Sequence, residues 1–139
     1  SGESMRIVDT LNQEQIAQVH RLYMQTWWAK DRTLEQTISC ISGSQLCVAI
    51  LDNDDNVVGF ARVLTDFIFK AIVFDVIVCE DQRNSGLGAR LMHTIQQHDR
   101  LKHIRHFELY CLPEMEIYYE QFGFSSEVGG VVLMRQVNA

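Results

Sequence analysis

A chain of 139 residues is long enough for one domain with its own core and too short for two catalytic domains. Apolar residues make up 47% and charged residues 22%, with a single proline, which excludes a disordered or fibrous chain. Twelve Lys and Arg against 18 Asp and Glu leave a formal charge of -6, so no overall basic field is available to hold a nucleic-acid backbone.

Ser1-Gly2-Glu3-Ser4 lacks the charged and apolar pattern of a targeting signal and reads as an added leader before Met5, leaving 5–139 as the domain and a cytoplasmic location as the expectation. Asn12 with Gln15, and Thr33 with Gln36, each have capping-box spacing. They predict a helix from Gln13 to about Trp27, carrying Ile16, Val19, Leu22 and Tyr23 on one side, and a shorter one ending at Gly43. Gln45–Leu51 and Val57–Leu64 have strand composition on either side of the turn-forming Asp52-Asn53-Asp54-Asp55-Asn56, a hairpin. A calcium loop would need Gly at its sixth position and Glu at its twelfth, where Val57 and Val63 stand.

The stretch from Phe67 to Val78 is broken by Lys70 and Asp75 and is too short to cross a bilayer, so no membrane association is expected. Ala71–Glu80 instead reads as a central strand covered on both faces. It feeds Arg83-Asn84-Ser85-Gly86-Leu87-Gly88 and then a helix with Leu87, Leu91, Met92 and Ile95 at helical spacing to about His98. Arg105–Cys111 is a further strand, Glu114–Phe122 a short helix stopped by Gly123, and Val131–Arg135 a last strand after Gly129-Gly130.

A strand, glycine loop and helix in succession suggest an anion site, because the first helical amides are unpaired and the helix dipole is positive there, the alternative being a glycine-assisted turn into an amphipathic helix. The loop lacks the Lys and hydroxyl of a P-loop, and Leu91 occupies the place of a third dinucleotide-binding glycine. Cys40, Cys47, Cys79 and Cys111 form no C-x-x-C pair and read as buried reduced thiols. His93, His98, His103 and His106 are spaced so that no metal-binding set shares a helix face.

Arg83-Asn84-Ser85-Gly86-Leu87-Gly88 resembles the R/Q-x-x-G-x-G/A acyl-coenzyme A signature of the GCN5-related N-acetyltransferase (GNAT) superfamily, and Tyr118-Tyr119-Glu120-Gln121-Phe122-Gly123-Phe124 resembles its F/Y-Y-E-x-x-G-F ending. The resemblance implies an α/β (α+β) fold with a mixed central sheet of about six to seven strands flanked by about four helices. It also implies acetyl-CoA as co-substrate, no metal, and direct acetyl transfer to a primary amine of a small molecule or peptide; a homodimer is compatible with it. The loop from Arg83, Asn84, Ser85, Gly86, Leu87 and Gly88 to Ala89 would meet the pyrophosphate, and the backbone of Val76, Ile77 and Val78 would pair with the pantetheine amides.

Tyr119 matches the family's general acid, and Asp75 is the leading base, with an ion pair to Arg62 or Arg32 as its alternative role; Asp66 and Glu80 are weaker candidates. Softer similarity around Trp28-Ala29, Arg32 and Gly59–Val63 nominates Trp28 and Arg32 for the acceptor pocket, with Trp27 in the core. Two departures stand out: Leu112, then Pro113, where relatives carry Asn, and Asn84 where they often carry Gly. Leu112 motivates an alternative, a non-catalytic acyl-CoA-binding module.

Overall fold

The computed structural model describes residues 5–139, so the expectation for residues 1–4 falls outside the described residues. The chain forms β1 (Arg6–Val8), α1 (Gln13–Met24), α2 (Leu34–Ser42), β2 (Leu46–Leu51), β3 (Val57–Thr65), β4 (Lys70–Val78), α3 (Leu87–Gln97), β5 (His106–Leu109) and α4 (Glu116–Glu120). Short 3-10 turns at Glu80–Gln82 and Pro113–Met115 precede α3 and α4. Both capping boxes form: Asn12 accepts from the Gln15 amide at 2.8 Å and Thr33 from the Gln36 amide at 3.0 Å, with both glutamines reaching back.

The five strands lie in the order β1-β2-β3-β4-β5, antiparallel except for the parallel β4–β5 pair. β2 is buried at every residue, so its alternation sorts side chains between two cores rather than between core and solvent. Leu46, Val48 and Ile50 pack with α3 through Leu87, Leu91, Met92 and Ile95, whereas Cys47, Ala49 and Leu51 pack with α1 through Val19, Leu22 and Tyr23.

Two features depart from the expected architecture. The described residues contain five strands, not six or seven, and the expected strand Val131–Arg135 forms no ladder. Gly129 and Gly130, at φ +74° and +80°, turn the chain into this segment, and Val131 to Met134 stay exposed, so its strand-forming composition finds no ladder. The expected helix at Glu114–Phe122 is divided into the Pro113–Met115 turn and the five-residue α4. β1 is three residues long, too short to register as a period in the sequence.

Leu91 is fully buried, and its Cδ1 lies 3.5 Å from where a Cβ on Gly59 would sit, so α3 docks directly on β3. Leu91→Ala is expected to cost about 2–5 kcal/mol in urea unfolding at unchanged fold. A loss below about 0.5 kcal/mol would mean that α3 is not anchored through this side chain.

Candidate active site

Two halves of a site meet on β4, one along its free edge and one on its α1 side. The first begins where the sheet splits. Lys70–Val73 pair with His106–Leu109, but β4 runs on to Val78 without β5, so the edge of 74–78 on that side has no strand partner. The T-shaped Phe74–Tyr110 ring pair, with centroids 5.4 Å apart, stands at the fork. Val76, Ile77 and Val78 therefore offer main chain along an opening; the Val78 carbonyl also accepts from Arg83 Nε at 3.2 Å.

Beyond β4, the 3-10 turn leads into the glycine loop. Asn84 and Gly86 take left-handed φ of 65° and 83°, reversing the chain into α3, and the Ser85 hydroxyl donates to the Gln82 carbonyl. Asn84 thus adopts a left-handed conformation available to Asn as well as to Gly. Leu87 turns its side chain into the core, leaving the amides at the start of α3, through Gly88 and Ala89, without intrahelical acceptors. A Cβ on Gly86 would meet nothing within 4 Å, so its requirement is conformational, whereas a Cβ on Gly88 would lie 2.7 Å from the Tyr118 hydroxyl. The open loop, the unpaired amides and the unpartnered strand edge fit a ligand that carries a diphosphate and an amide-bearing arm.

The second half is built on a β-bulge. Arg62 pairs with Phe74 and Phe60 with Ile77, so β4 carries one residue more than β3 between these points. Asp75 sits in that bulge at φ 56°. Ala71 and Val73 pack toward α3, but after the bulge Asp75 and Ile77 face α1 and Val76 packs toward α3. Asp75 Oδ2 accepts from the Tyr23 hydroxyl at 2.8 Å, Arg62 Nε at 2.7 Å and Arg32 Nη1 at 2.8 Å. Burial pushes the Asp75 carboxyl up, but the bonds from Arg62, Tyr23 and Arg32 outweigh it and hold the group below the ordinary carboxylate range. Burial and the adjacent carboxylate push the Tyr23 phenol far up, so it stays a donor.

The α1–α2 connection delivers Arg32 to this cluster. Thr26 Oγ1 donates to the Tyr23 carbonyl at 2.8 Å and accepts from the Ala29 amide at 3.0 Å, while the Arg32 carbonyl meets His20 Nε2 at 2.8 Å. The Arg32 guanidinium lies 4.4 Å from the Tyr23 ring centre and 5.8 Å from that of Trp28. Trp28 and Arg32, together with Trp27, Ala29, Lys30, Asp31, Gln36, Cys40 and Arg62, line an open cavity of about 360 Å³.

Trp28 and Arg32 thus line one cavity with Arg62 and sit beside Asp75. Trp27, expected in the core, is 74% exposed on the rim, because the loop turns its side chain outward after Thr26. Tyr23, read from the sequence only as a helix core residue, is a ligand of Asp75; a fully buried phenol needs a hydrogen-bond partner, and that was the available signal. Asp66 Oδ1 accepts from the Ile68, Phe69 and Lys70 amides and serves the β3–β4 turn, and Glu80 lies exposed in the 3-10 turn.

Tyr119 is half-buried against Phe122 and Phe124 and lines a second, larger groove with Leu109, Tyr110 and Cys111. Burial, then the neighbouring Tyr118 and Cys111, raise its phenol above the ordinary value, so it holds its proton at neutral pH. All four cysteines are free; Cys47 is buried and its thiol is pushed up to about 11, but Cys111 is exposed, since β5 ends before it.

The mixed sheet forks at Val73, just before the bulge, and β4 leads on to the glycine loop, an α/β arrangement that its relatives assign to a family. Residues 42–126 match the family model described as an acetyltransferase (GNAT) domain, and the chain belongs to that family. It is 29% identical over 107 residues to the "Uncharacterized N-acetyltransferase ycf52" of Pyropia yezoensis, covering 75% of this chain and 61% of that protein. A GNAT-family acetyltransferase structure from Xanthomonas campestris pv. campestris superposes with a TM-score of 0.80 at 28% identity, over 96% of this chain and 94% of that one. An aminoglycoside N-acetyltransferase solved with CoA shares the fold, with a TM-score of 0.72 at 16% identity over 95% and 94% of the two chains.

Removing the Asp75 charge leaves two largely buried guanidinium groups without their counter-charge. Asp75→Asn is expected to lower stability at pH 7 by about 2–3 kcal/mol. Because the folded-state value of Asp75 is depressed, its contribution is full above the unfolded value of about 4 and is lost as pH falls through the folded value. Chemical unfolding from pH 7 to pH 2 should therefore show a shallower acid loss in the variant; parallel curves would remove the ion cluster from the account of acid stability.

Proposed function

We propose that this chain is an N-acetyltransferase that moves an acetyl group from acetyl-CoA directly to a primary amine. The observation that carries this reading is the fork in the sheet: β4 leaves β5 after Val73 and continues, unpartnered on that side, toward the glycine loop. Val76, Ile77 and Val78 would pair with the pantetheine amides as an added strand does. The pyrophosphate would lie on the amides from Arg83 to Ala89, with Arg83, Asn84 and Ser85 exposed around it. The CoA-bound aminoglycoside acetyltransferase of the same fold supports this cofactor.

The thioester supplies an activated carbonyl; the amine nitrogen forms a bond to its carbon, the carbon–sulfur bond breaks, and the sulfur leaves with a proton. Tyr119 would donate that proton, a role that suits a phenol kept protonated by burial, and would be reprotonated by the proton that the attacking nitrogen sheds as it becomes the amide. The ammonium must first lose a proton, and Asp75 is poorly suited to take it, since three donors already share one of its oxygens and hold the carboxyl acidic. We assign Asp75 to positioning Arg32 and Arg62 and the proton to solvent.

With acetyl-CoA and an amine panel, thiol release above background is expected, and Tyr119→Phe should lower kcat by about 10²–10⁴-fold with little change in KM for acetyl-CoA. Unchanged kcat would remove Tyr119 from the chemistry. Gly86→Val forces a β-branched residue into left-handed backbone and should weaken acetyl-CoA binding by about tenfold or more in calorimetry. Heat of acetyl-CoA binding without thiol release for any amine would identify a cofactor-binding module instead.

A further inference from the structure

We infer that the acceptor amine carries an oxyanion group, a carboxylate or phosphate, bound by Arg32 and Arg62 in the cavity beneath Trp27 and Trp28. This rests on the acetyltransferase reading and names the substrate class for it. The chain as a whole is acidic, at -6, but the cavity is not. Lys30, Arg32 and Arg62 line it against Asp31, and among the described residues Asp75 is the only carboxylate with which either arginine forms an ion pair. Two guanidinium groups therefore share one carboxylate oxygen, and the cluster keeps a net positive charge.

Their remaining donors are sparsely used. Arg32 gives Nη1 to Asp75; Arg62 gives Nε to Asp75 and Nη1 to Ser44 Oγ at 3.4 Å, near the limit of a hydrogen bond. A guanidinium presents five N–H groups in a planar fork that matches carboxylate and phosphate oxygens. Asp75 and the Tyr23 and Trp28 rings hold the Arg32 fork in place, so less freedom is lost when a ligand docks.

A cationic acceptor without an anionic group would place its ammonium beside Lys30, Arg32 and Arg62, whose charge Asp31 and Asp75 only partly offset. An amino acid or a phosphorylated amine would instead put its oxyanion on the arginines and direct its nitrogen toward β4, whose bulge residue Asp75 immediately precedes the Val76–Val78 edge. The cavity of about 360 Å³ suits a small molecule of this kind.

The test compares matched acceptors: tryptophan with tryptamine, leucine with isoamylamine, and O-phosphoethanolamine with ethanolamine, each corrected for its neutral-amine fraction. In at least one pair, kcat/KM should favour the oxyanion-bearing member by on the order of tenfold, with Arg32→Gln removing the preference mainly through KM. Arg32→Lys should restore it only in part. Equal or better use of the plain amines throughout would overturn the inference while leaving the acetyltransferase reading intact.

A second readout needs no turnover. The only two tryptophans of the chain line this cavity, so intrinsic fluorescence reports it. N-acetylleucine and O-phosphoethanolamine, tested against N-acetylleucinamide and ethanolamine, should give a saturable change for at least one anion that the exposed-site variant Lys30→Gln weakens and Arg32→Gln abolishes. No saturable change with either anion would overturn the inference. Saturable anion binding without thiol release from any amine would instead leave the oxyanion site standing and overturn the acetyltransferase reading.

Discussion

A single carboxylate oxygen, Oδ2 of Asp75, ties together three parts of the chain at the margin of the core that α1 shares with the sheet. Its donors come from α1 through Tyr23, from the α1–α2 connection through Arg32 and from β3 through Arg62. A carboxylate in the middle of a sheet is costly unless paired, and here each partner also needs the carboxylate: the phenol is fully buried and the two guanidinium groups are largely so. The bulge makes the arrangement possible. Without the extra residue in β4, strict alternation would turn Asp75 toward α3, into Leu87, Leu91 and Met92, where no donor waits.

The same bulge bears on the other side of β4. Once β4 bends and twists at Asp75, it no longer runs beside β5, and the parallel pairing ends at Val73–Leu109. The strand edge that opens lies next to the side chains that the bulge turns toward α1. One local irregularity thus lies beside both the free strand edge and the cationic cavity on the α1 side. A regular sheet would close the first and bury the second. Strain at a left-handed non-glycine residue, of order 1–3 kcal/mol, is tolerable because the three hydrogen bonds determine the conformation.

Elements governed by local chemistry were legible in the sequence. Asn12 and Thr33 announce α1 and α2 because a cap is a matter of three or four residues, and the glycine loop is legible because Gly86 must turn the chain left-handed before α3. The paired motifs fall at the turn into α3 and on α4 with the residues that follow it. The face on which Asp75 lies was not legible, since a bulge is a property of two strands in register and the period of one strand does not contain it. Trp27 and Trp28 are adjacent in sequence, and their shared place at the cavity depends on a turn closed by Thr26 and Ala29, not on helical periodicity. Val131–Arg135 has strand composition, but pairing is decided by whether a ladder reaches it, and in this structure the sheet ends at β5.

Charge illustrates why global quantities say little about a site. A net charge of -6 suggests attraction for cations at long range, yet beyond about 10 Å that field is screened at moderate salt. Within the cavity, contact distances and partial burial govern, and the count there is dominated by arginines. The acidic residues of the 52–55 turn lie far along β2 and β3 from Asp75, and Asp55 is committed to Arg6 at 2.6 Å. They cannot neutralise Arg32 and Arg62 in any way that a bound molecule would feel. On the oxyanion reading, specificity would be set by how few acceptors the described residues supply to two guanidinium groups, and a ligand that brings its own acceptors would complete the arrangement.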